Sequence, residues 1–455
     1  MAIIETVLGF IVMIVILVTI HELGHFYVAR LCGVKVLRFC VGIGVPFWSR
    51  TDKHGTEWGI APFPLGGYVK MLGEVGDDNV EITPDLENQT LESKPLWQRI
   101  SIMLAGPLAN ILLAIFVFAG LNMYGVWEYT PIIGEVEPES EAAYAGLEPG
   151  QLIVSVDGVD TPNRQAVLER MLLRLGETGE MSMTVTYPGD SELRYNVNLV
   201  LEDWLKGAEE PNPIEGIGIY FIRPKILTVV GGVLNDTPAE RAGLKVGDKF
   251  LSIDGEAVKD WDQWVDYVRM RPGKEIELEI ERDGQVELVA LVPKPVKLED
   301  GSTIGRVGIY PQRGPWPDNA RFRKRYDFGP AMVNAVEKSW STSVTILVSL
   351  KKLFVGEISV KNLSGPIGIA KVAGDSARAG LEYFVQFLAV ISVYLGVFNL
   401  LPIPILDGGH IMYYIIEGIK GSPVSEKAKW LGFQAGLVAI VFVMVLAFYN
   451  DILRL

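Results

Sequence analysis

Two histidines and a glutamate stand at the end of an otherwise apolar stretch of the chain. The motif His21-Glu22-x-x-His25 follows residues 7–20, which include no charged side chain. On a helix, residues four apart lie on one face, so both imidazoles can reach a single Zn²⁺ ion. Glu22 is predicted to act as the general base on water at that ion. Ionisable groups within a membrane segment are costly and usually functional, which favours a metal site over a chance match.

The third metal ligand has to come from another segment, because catalytic zinc normally takes three protein ligands and keeps one position open. The chain has only four histidines. His54 lies in the polar stretch DKHGTEW and is predicted to be a solvated turn residue. His410 and Asp407 both lie in the stretch NLLPIPILDGGH. From chemistry alone, either of these two side chains is a candidate third ligand.

The elements that must position these residues are membrane spans. Four long, apolar and almost uncharged segments predict four transmembrane helices, since about 20 apolar residues cross a bilayer. Their predicted ranges are 1–30, 99–126, 381–407 and 429–450. A shorter amphipathic stretch at about 329–354 predicts a helix that lies on the membrane surface and contacts lipids. The predicted fold class is therefore a polytopic α-helical membrane protein.

Basic residues close to the segment ends predict the orientation of the spans. They are Arg30, Lys35 and Arg38 after the first span, and Lys420, Lys427 and Lys429 after the third. The loops at 31–98 and 408–428 are therefore predicted to be cytoplasmic, with both termini and the large middle region on the periplasmic side. The first and third spans then run in the same direction, so His21 and Asp407 are both expected near the cytoplasmic edge of the bilayer.

The middle region contains an internal repeat, with copies that start at Val136 and Val233. Each copy reads Ala-Gly-Leu, then a glycine three residues on, then a β-rich run that ends in Asp-Gly, which predicts a short helix, a strand and a tight turn. Two tandem α+β domains are predicted, at 127–221 and 222–309, between the second and third spans. They resemble PDZ domains of bacterial envelope proteases, although Gln151 replaces the usual acidic residue in the first copy. Such folds bind extended peptides by strand addition, and the alternative of a mere spacer or steric gate stays open.

The rest of the middle region, 310–380, is predicted to be a connector around the amphipathic helix. Its stretches 293–328 and 355–380 are rich in proline, glycine and charge and are expected to be irregular. The run NLSGPIGIAKVAG, at 362–374, has a distinctive composition but no role that its chemistry assigns.

The two metal motifs together carry a resemblance to a known family. HExxH on a first transmembrane helix, with NLLPIPILDG on a later one, resembles the site-2 proteases, which are zinc metalloproteases that cut within membranes. The resemblance implies that Asp407 is the third zinc ligand. It also implies that Asn399 helps to hold substrate near the metal, where its amide could steady an oxyanion. The competing interpretation of Asn399 is an amide that only packs helices.

A second stretch extends the resemblance. GIAPFPLGGYVKM, in the first cytoplasmic loop, is similar to the family's membrane-dipping β-hairpin and places that hairpin at about 55–75. Non-helical backbone at that depth needs protein or water around it. Its residues Gly66, Gly67 and Tyr68 are predicted to offer a strand edge that pairs with an unwound substrate.

The function that the resemblance implies is intramembrane proteolysis in the bacterial inner membrane. The implied substrates are membrane-anchored, single-span proteins of the anti-sigma-factor type already trimmed outside, with leftover signal peptides as a second class, and the PDZ-like pair would screen out untrimmed proteins. The net charge of −14 argues against nucleic acid as a partner. The alternative function is a membrane-tethered PDZ adaptor with a vestigial metal site, which would tolerate loss of Glu22 or Asp407. A zinc transporter would need more polar residues within the second and fourth spans.

Overall fold

The computed structural model describes residues 2–73, 83–84, 86–189, 193–298 and 300–454. The helices are α1 (Ala2–Leu31), α2 (Leu96–Tyr124), α3 (Glu141–Tyr144), α4 (Arg164–Leu172), α5 (Pro238–Arg241), α6 (Trp261–Arg269), α7 (Phe328–Phe354), α8 (Pro366–Ala379), α9 (Leu381–Asn399), α10 (Asp407–Lys420) and α11 (Glu426–Leu453). The strands are β1 (Val36–Ile43), β2 (Trp48–Thr51), β3 (Glu57–Ile60), β4 (Phe63–Met71), β5 (Val126–Tyr129), β6 (Ile133–Val136), β7 (Leu152–Val156), β8 (Val159–Asp160), β9 (Gly179–Thr186), β10 (Tyr195–Leu201), β11 (Ile219–Phe221), β12 (Ile226–Val233), β13 (Lys249–Ile253), β14 (Glu256–Ala257), β15 (Ile276–Arg282), β16 (Gln285–Leu291), β17 (Lys294–Lys297), β18 (Thr303–Arg306), β19 (Ile309–Arg313) and β20 (Arg321–Lys324).

Four of the described helices, α1, α2, α9 and α11, are long and apolar enough to cross a membrane. They are apolar around most of their circumference, as helices in lipid are. Two of these helices pack together, since Met13 and Leu17 of α1 share a buried cluster with Leu388 of α9. α11 exposes most of its surface and approaches the turn between α9 and α10 at Gly432 and Gly436. The helices that carry the metal motifs therefore belong to one packed bundle.

The third span is shorter than the sequence predicts. α9 ends at Asn399 and α10 begins at Asp407, so the predicted span 381–407 is too long. The predicted cytoplasmic loop at 408–428 likewise contains a helix for much of its length. The two prolines of the stretch LPIPIL explain the break, because proline removes a backbone donor and disfavours helical geometry in the residue before it. Asp407 thus stands at the first turn of a new helix and not at the end of a span.

The loop between α1 and α2 contains a four-stranded sheet in the order β2-β3-β1-β4. β1 runs parallel to β3 and antiparallel to β4, with Cys40 opposite Tyr68. The predicted β-hairpin at about 55–75 is therefore wrong in its pairing, because β1 lies between β3 and β4. The physical reason is burial, since Val36 and Phe39 of β1 belong to the core under the sheet. β4 forms one edge of the sheet in the described part of the chain.

An aromatic cluster and an ion pair fix this sheet to the end of α1. Phe26 meets Phe39 and Trp58 edge-on, with ring centroids 5.6 and 4.9 Å apart. Arg30 donates a hydrogen bond of 2.7 Å to Asp52. Burial alone would raise the pKa of Asp52, but hydrogen bonds from Arg30 and Trp58 hold that pKa well below its usual value. Asp52 is therefore a carboxylate at neutral pH, and its hydrogen bond with Arg30 holds the sheet and α1 as one unit.

Two sheets with short helices follow α2, and they are referred to below as the two α+β domains. The first has a sheet in the order β10-β9-β7-β8 with a separate pair β11-β6, and the second has a sheet in the order β16-β15-β13-β12-β19. Each domain has its own buried apolar core. Asp157 and Asp254 adopt left-handed backbone angles, with φ of 49° and 47°, and a glycine with positive φ follows each. The predicted Asp-Gly turns are therefore confirmed in both copies.

The position that differs between the two repeats has the same structural role in both. In the second copy, Asp248 is buried, accepts a hydrogen bond of 2.7 Å from the backbone of Lys245 and pairs with Arg282 at 2.7 Å. In the first copy, the amide oxygen of Gln151 accepts from the backbone of Glu148 at 3.0 Å. A neutral amide supplies the same acceptor without needing an arginine, which explains how the acidic residue can be replaced.

The predicted irregular connector is wrong for much of its length. The stretch 293–328 forms β17 to β20, and β20 returns to pair with β5 at the start of the first α+β domain. Within 355–380, α8 begins at Pro366. Proline is well suited to the first turn of a helix, where its missing N–H has no partner anyway. Gly374 lets α8 approach α1, because a Cβ there would lie 2.3 Å from Thr6. Proline and glycine therefore mark a helix start and a close contact here, not a loop.

α7 occupies the stretch predicted to be amphipathic. On one side, Ala335 and Ile346 share a buried cluster with Phe118 of α2 and Val393 of α9. Apolar side chains on α7 are also exposed, namely Val333, Val336, Trp340 and Leu347. The helix is therefore held partly by the spans themselves, and its exposed apolar side chains suit contact with lipid.

The run at 362–374, to which the sequence assigned no role, joins three parts of the molecule. Asp451, near the end of α11, accepts hydrogen bonds of 2.9 Å from the backbone N–H groups of Gly365 and Gly368, and so caps α8 from another helix. Asn362 donates a hydrogen bond of 2.8 Å to the carbonyl of Ala208 in the first α+β domain. The run thus connects that domain to α8 and α11.

We expect Asp451→Ala to lower the stability of this junction by about 2 kcal/mol or more, because it leaves two backbone donors without their acceptor. The measurement is the midpoint of thermal unfolding of the purified full-length chain, which should fall by a few degrees. Asp375→Ala is the matched control, since Asp375 is an exposed carboxylate on α8 that pairs only with Arg378 among the ion pairs of the described chain. Equal midpoints for the two variants would contradict the capping role.

Candidate metal centre

Three potential ligand atoms meet at one point in the bundle. The ligand atoms of His21, His25 and Asp407 all lie within 4.8 Å of one another. The Oδ2 atom of Asp407 is 3.2 Å from Nε2 of His21 and 3.4 Å from Nε2 of His25. Both histidines are buried, at 9% and 6% exposure. The structure therefore brings together the paired imidazoles of α1 and a carboxylate that is remote in sequence.

α1 and α2 together set the orientation of the imidazoles. His21 and His25 are one helical turn apart on α1, so their rings share a face. Nδ1 of His25 is 2.7 Å from the carbonyl oxygen of Ile102 on α2. A carbonyl only accepts, so Nδ1 carries the proton and Nε2 presents a lone pair to the site. Nδ1 of His21 lies 3.2 Å from the side-chain amide of Asn110, also on α2.

The turn between α9 and α10 sets the position of Asp407. A Cβ on Gly408 would lie 2.3 Å from the carbonyl oxygen of Leu401, and one on Gly409 would lie 2.3 Å from that of Ile403. Only glycine therefore lets this turn fold back on the start of α10. These two close approaches give a physical reason for the Asp-Gly-Gly sequence at this point.

A partly buried ion pair attaches α10 to α2. Arg99 of α2 makes two hydrogen bonds to Glu417 of α10, at 2.6 and 3.2 Å, and its guanidinium lies over the ring of Tyr414. Paired guanidinium and carboxylate groups of this kind fix geometry as well as contributing energy. Because α10 begins with Asp407, this contact helps to hold the carboxylate against the histidines.

The donor set suits a metal ion. The Oδ2 atom of Asp407 is buried and makes no hydrogen bond within the described chain. The two Nε2 atoms are 3.2 Å apart. Acceptor atoms this close repel one another unless a proton or a cation lies between them. Two imidazoles and one carboxylate match the ligand set of catalytic zinc sites, which leave one position open.

Gly106 on α2 forms the wall behind the two rings. A Cβ at this position would lie 2.2 Å from Nε2 of His25 and 2.8 Å from Nε2 of His21. No other residue type fits there without moving the imidazoles. Neither Gly106 nor Asn110 is among the site residues predicted from the sequence. The available signal was a lone amide, within the run AGPLAN, in the middle of an otherwise apolar span.

Glu22 lies between the two histidines in sequence and is partly buried. β4 passes beside it, since a Cβ on Gly67 would lie 3.1 Å from Cγ of Glu22 and 2.8 Å from a methyl group of Val18. Gly66 faces the side chain of Ile43 of β1. The edge strand of the sheet between α1 and α2 therefore lies directly against the face of α1 that carries Glu22.

The remaining residues singled out by the sequence lie outside this group of ligands. Asn399 is the last residue of α9, and its amide donates to the carbonyl of Leu395 in the same helix, at 2.9 Å. Tyr68 accepts a hydrogen bond of 3.4 Å from Arg38 within the sheet. His410 is exposed on α10. His54 lies in an exposed turn, where its backbone N–H donates to Asp52, as expected for a solvated turn residue.

A membrane-spanning bundle that joins an HExxH helix to a distant carboxylate has the arrangement of a membrane-embedded metalloprotease. The chain belongs to Peptidase family M50, whose family model matches residues 9–443. It is 41% identical, over 98% of each chain, to the regulator of sigma-E protease RseP of Escherichia coli strain K12. It is also 41% identical, again over 98% of each chain, to a protein of Vibrio cholerae described as a zinc metalloprotease. Protease RseP of Yersinia pestis is 39% identical over 100% of each chain.

These relatives support the protease and not the adaptor alternative. The chain is an intramembrane zinc metalloprotease of the site-2 protease type and a multi-pass membrane protein. A fifth of the chain is also similar to a solved PDZ domain of an SdrC-like protein from Listeria monocytogenes, of which it covers 92%. That likeness, at 22% identity and a TM-score of 0.16, is too slight to decide the fold of either α+β domain.

We expect Gly106→Ala to abolish metal binding, because its methyl group would occupy the space of the histidine nitrogen atoms. The zinc content of the purified protein should fall about tenfold or more, since zinc needs its full ligand set. Elemental mass spectrometry measures this content. Gly120→Ala on the same helix is the matched control, because a Cβ there meets no other atom within 4 Å. Normal zinc content in Gly106→Ala would contradict this description of the site.

Proposed function

We propose that this protease uses a zinc ion held by His21, His25 and Asp407 to hydrolyse peptide bonds within the membrane segments of single-span proteins. The observation that carries the proposal is the convergence of these three donors, one of which makes no hydrogen bond in the described chain. Bound zinc lowers the pKa of a water molecule and polarises a carbonyl group. The remaining steps fall to the side chains and strands around the ion.

Glu22 is proposed to move the protons of the reaction. Its carboxylate takes a proton from the attacking water and returns it to the leaving nitrogen of the cleaved peptide bond. The support is its place between the two histidines, on the face of α1 that β4 covers. Asn399 is proposed to help hold the substrate, although its amide donates within its own helix in the absence of substrate.

The edge of β4 is proposed to bind the substrate. A helix hides its peptide bonds in its own hydrogen bonds, so a substrate helix must open before water can attack. An extended segment can then add to the edge of a sheet through its main-chain groups. Gly66, Gly67 and Tyr68 lie in the edge strand, and Gly67 brings that edge next to Glu22. A substrate strand on this edge would therefore present its carbonyl groups close to the catalytic carboxylate.

The substrates are proposed to be membrane-anchored proteins of the anti-sigma-factor type, with leftover signal peptides as a second class. Two of the relatives carry the name of a regulator of sigma-E or of RseP. We propose that the metal site lies near the cytoplasmic side of the inner membrane, and the basic residues of the loops around 31–98 and 408–428 support this orientation. Both termini and the two domains then lie in the periplasm, where tandem PDZ-like domains would screen out substrates that have not yet been trimmed.

We expect Glu22→Gln to lower the cleavage of a model single-span substrate by about 100-fold or more, because the amide cannot accept the proton. Its zinc content should stay at the wild-type level, since the three proposed ligands are untouched. Glu5→Gln, on the exposed first turn of α1, is the matched control and should cleave normally. A fully active Glu22→Gln enzyme would exclude the proposed base.

We expect Gly67→Ala to lower cleavage about tenfold or more while zinc content is retained. Its methyl group would lie 2.9 Å from the backbone oxygen of Cys40 and 2.8 Å from Val18, so β4 must shift away from α1. Displacements of about 1 Å can cost two orders of magnitude in rate. Gly329→Ala on α7 meets no atom within 4 Å and serves as the control. Unchanged turnover in Gly67→Ala would argue against substrate binding at this edge.

A further inference from the structure

Asn110 is a fully buried polar residue in the apolar middle of α2. Its exposure is 0%, and it lies one turn after Gly106, the residue that forms the wall behind the two histidines. One end of its side-chain amide is 3.2 Å from Nδ1 of His21. The other end, Oδ1 as placed, makes no hydrogen bond with any described residue.

Burying such an amide costs free energy, and packing alone does not require an amide at this position. A buried polar group without a partner costs about 1–3 kcal/mol, and an apolar side chain of similar size would avoid that cost. The ring of His21 is the one described side chain to which the Asn110 amide is hydrogen-bonded. An effect on His21 therefore explains best why this position has an asparagine.

The backbone of Asn110 is held independently of its side chain. Ser392 of α9 donates a hydrogen bond of 2.8 Å to the backbone carbonyl of Asn110, and both residues are fully buried. This contact fixes the distance between α2 and α9 at this level of the bundle. The side-chain amide is therefore free to serve another group, and the two roles can be separated by mutation.

The two histidines differ in what faces their Nδ1 atoms. His25 faces a carbonyl, which can only accept and so leaves Nε2 unprotonated. His21 faces an amide, which can present either its nitrogen or its oxygen, because the two ends exchange when the group rotates by half a turn. A nitrogen toward Nδ1 would place the ring proton on Nε2 and block metal binding. An oxygen toward Nδ1 would accept the Nδ1 proton and leave Nε2 as a ligand.

We propose that Asn110 is a positioning residue for the metal site: its side-chain oxygen accepts the Nδ1 proton of His21 and holds that ring as an Nε2 ligand. The inference rests on the proposed zinc function of His21. Hydrogen-bond partners of ligating histidines fix the ring and its tautomer, and their loss typically lowers metal affinity about 10- to 100-fold. Ile102 and Asn110 thus perform the same task for the two histidines, one with a backbone carbonyl and the other with an amide.

The test is the zinc dissociation constant of the full-length protein, measured by competition with a chelator. Asn110→Leu, which keeps the volume and removes the acceptor, should weaken zinc binding about 10- to 100-fold. Asn110→Asp, which keeps an oxygen acceptor, should bind zinc within about threefold of wild type, which is a smaller loss than the 10- to 100-fold loss expected for the leucine variant. Ser392→Ala removes the buried contact to the same residue's backbone and should leave zinc affinity near wild type. The visible absorption of the Co²⁺-loaded protein should change in Asn110→Leu alone, because it reports ligand geometry.

The outcomes distinguish the positioning role of Asn110 from the zinc site itself. Wild-type affinity in Asn110→Leu would overturn the positioning role while leaving the zinc site intact. An equal loss in the leucine and aspartate variants would show that the acceptor oxygen is not what matters, and a similar loss in Ser392→Ala would assign the effect to helix packing. A wild-type protein that binds no zinc would overturn the proposed function and this inference together.

Discussion

Three acceptor atoms that converge inside an apolar bundle are the constraint on which the rest of the molecule depends. Removing such groups from water costs several kcal/mol, and their mutual repulsion adds to that cost unless a cation lies among them. The described part of the chain brings such groups together at His21, His25 and Asp407, where 3.2 and 3.4 Å separate the carboxylate from the two rings. A single divalent ion would turn this destabilising cluster into the most tightly specified point of the bundle.

α2 is the element that gives the site its geometry, although it supplies none of the three proposed ligands. Its contacts to the ligand-bearing elements are Ile102 to His25, Asn110 to His21, Gly106 to both rings, and Arg99 to Glu417 of α10. β4 then lies on the other side, with Gly67 against Glu22. The site is therefore enclosed by a helix that orients the ligands and a strand edge that can orient a substrate.

The sequence predicted the features that local periodicity determines. The HExxH spacing, the four apolar spans and the Asp-Gly turns at Asp157 and Asp254 all depend on residues close together in the chain. Apart from Asp407 beside the two histidines, which the family resemblance implied, it did not predict contacts between distant segments. β1 enters between β3 and β4, α8 forms in a run rich in glycine, and Gly106 and Asn110 meet the histidines from another helix. Their residue types make sense only once the partner that approaches them is known.

The most direct measurement of the central claim is zinc-edge X-ray absorption of the zinc-loaded protein, with Asp407→Asn and His410→Ala compared with wild type. We predict two imidazole nitrogens at about 2.0–2.1 Å with oxygen in the remaining positions. The spectrum should change in Asp407→Asn and stay the same in His410→Ala, because His410 is exposed and lies outside the group of ligands. An unchanged spectrum in Asp407→Asn together with an altered one in His410→Ala would contradict the site described above.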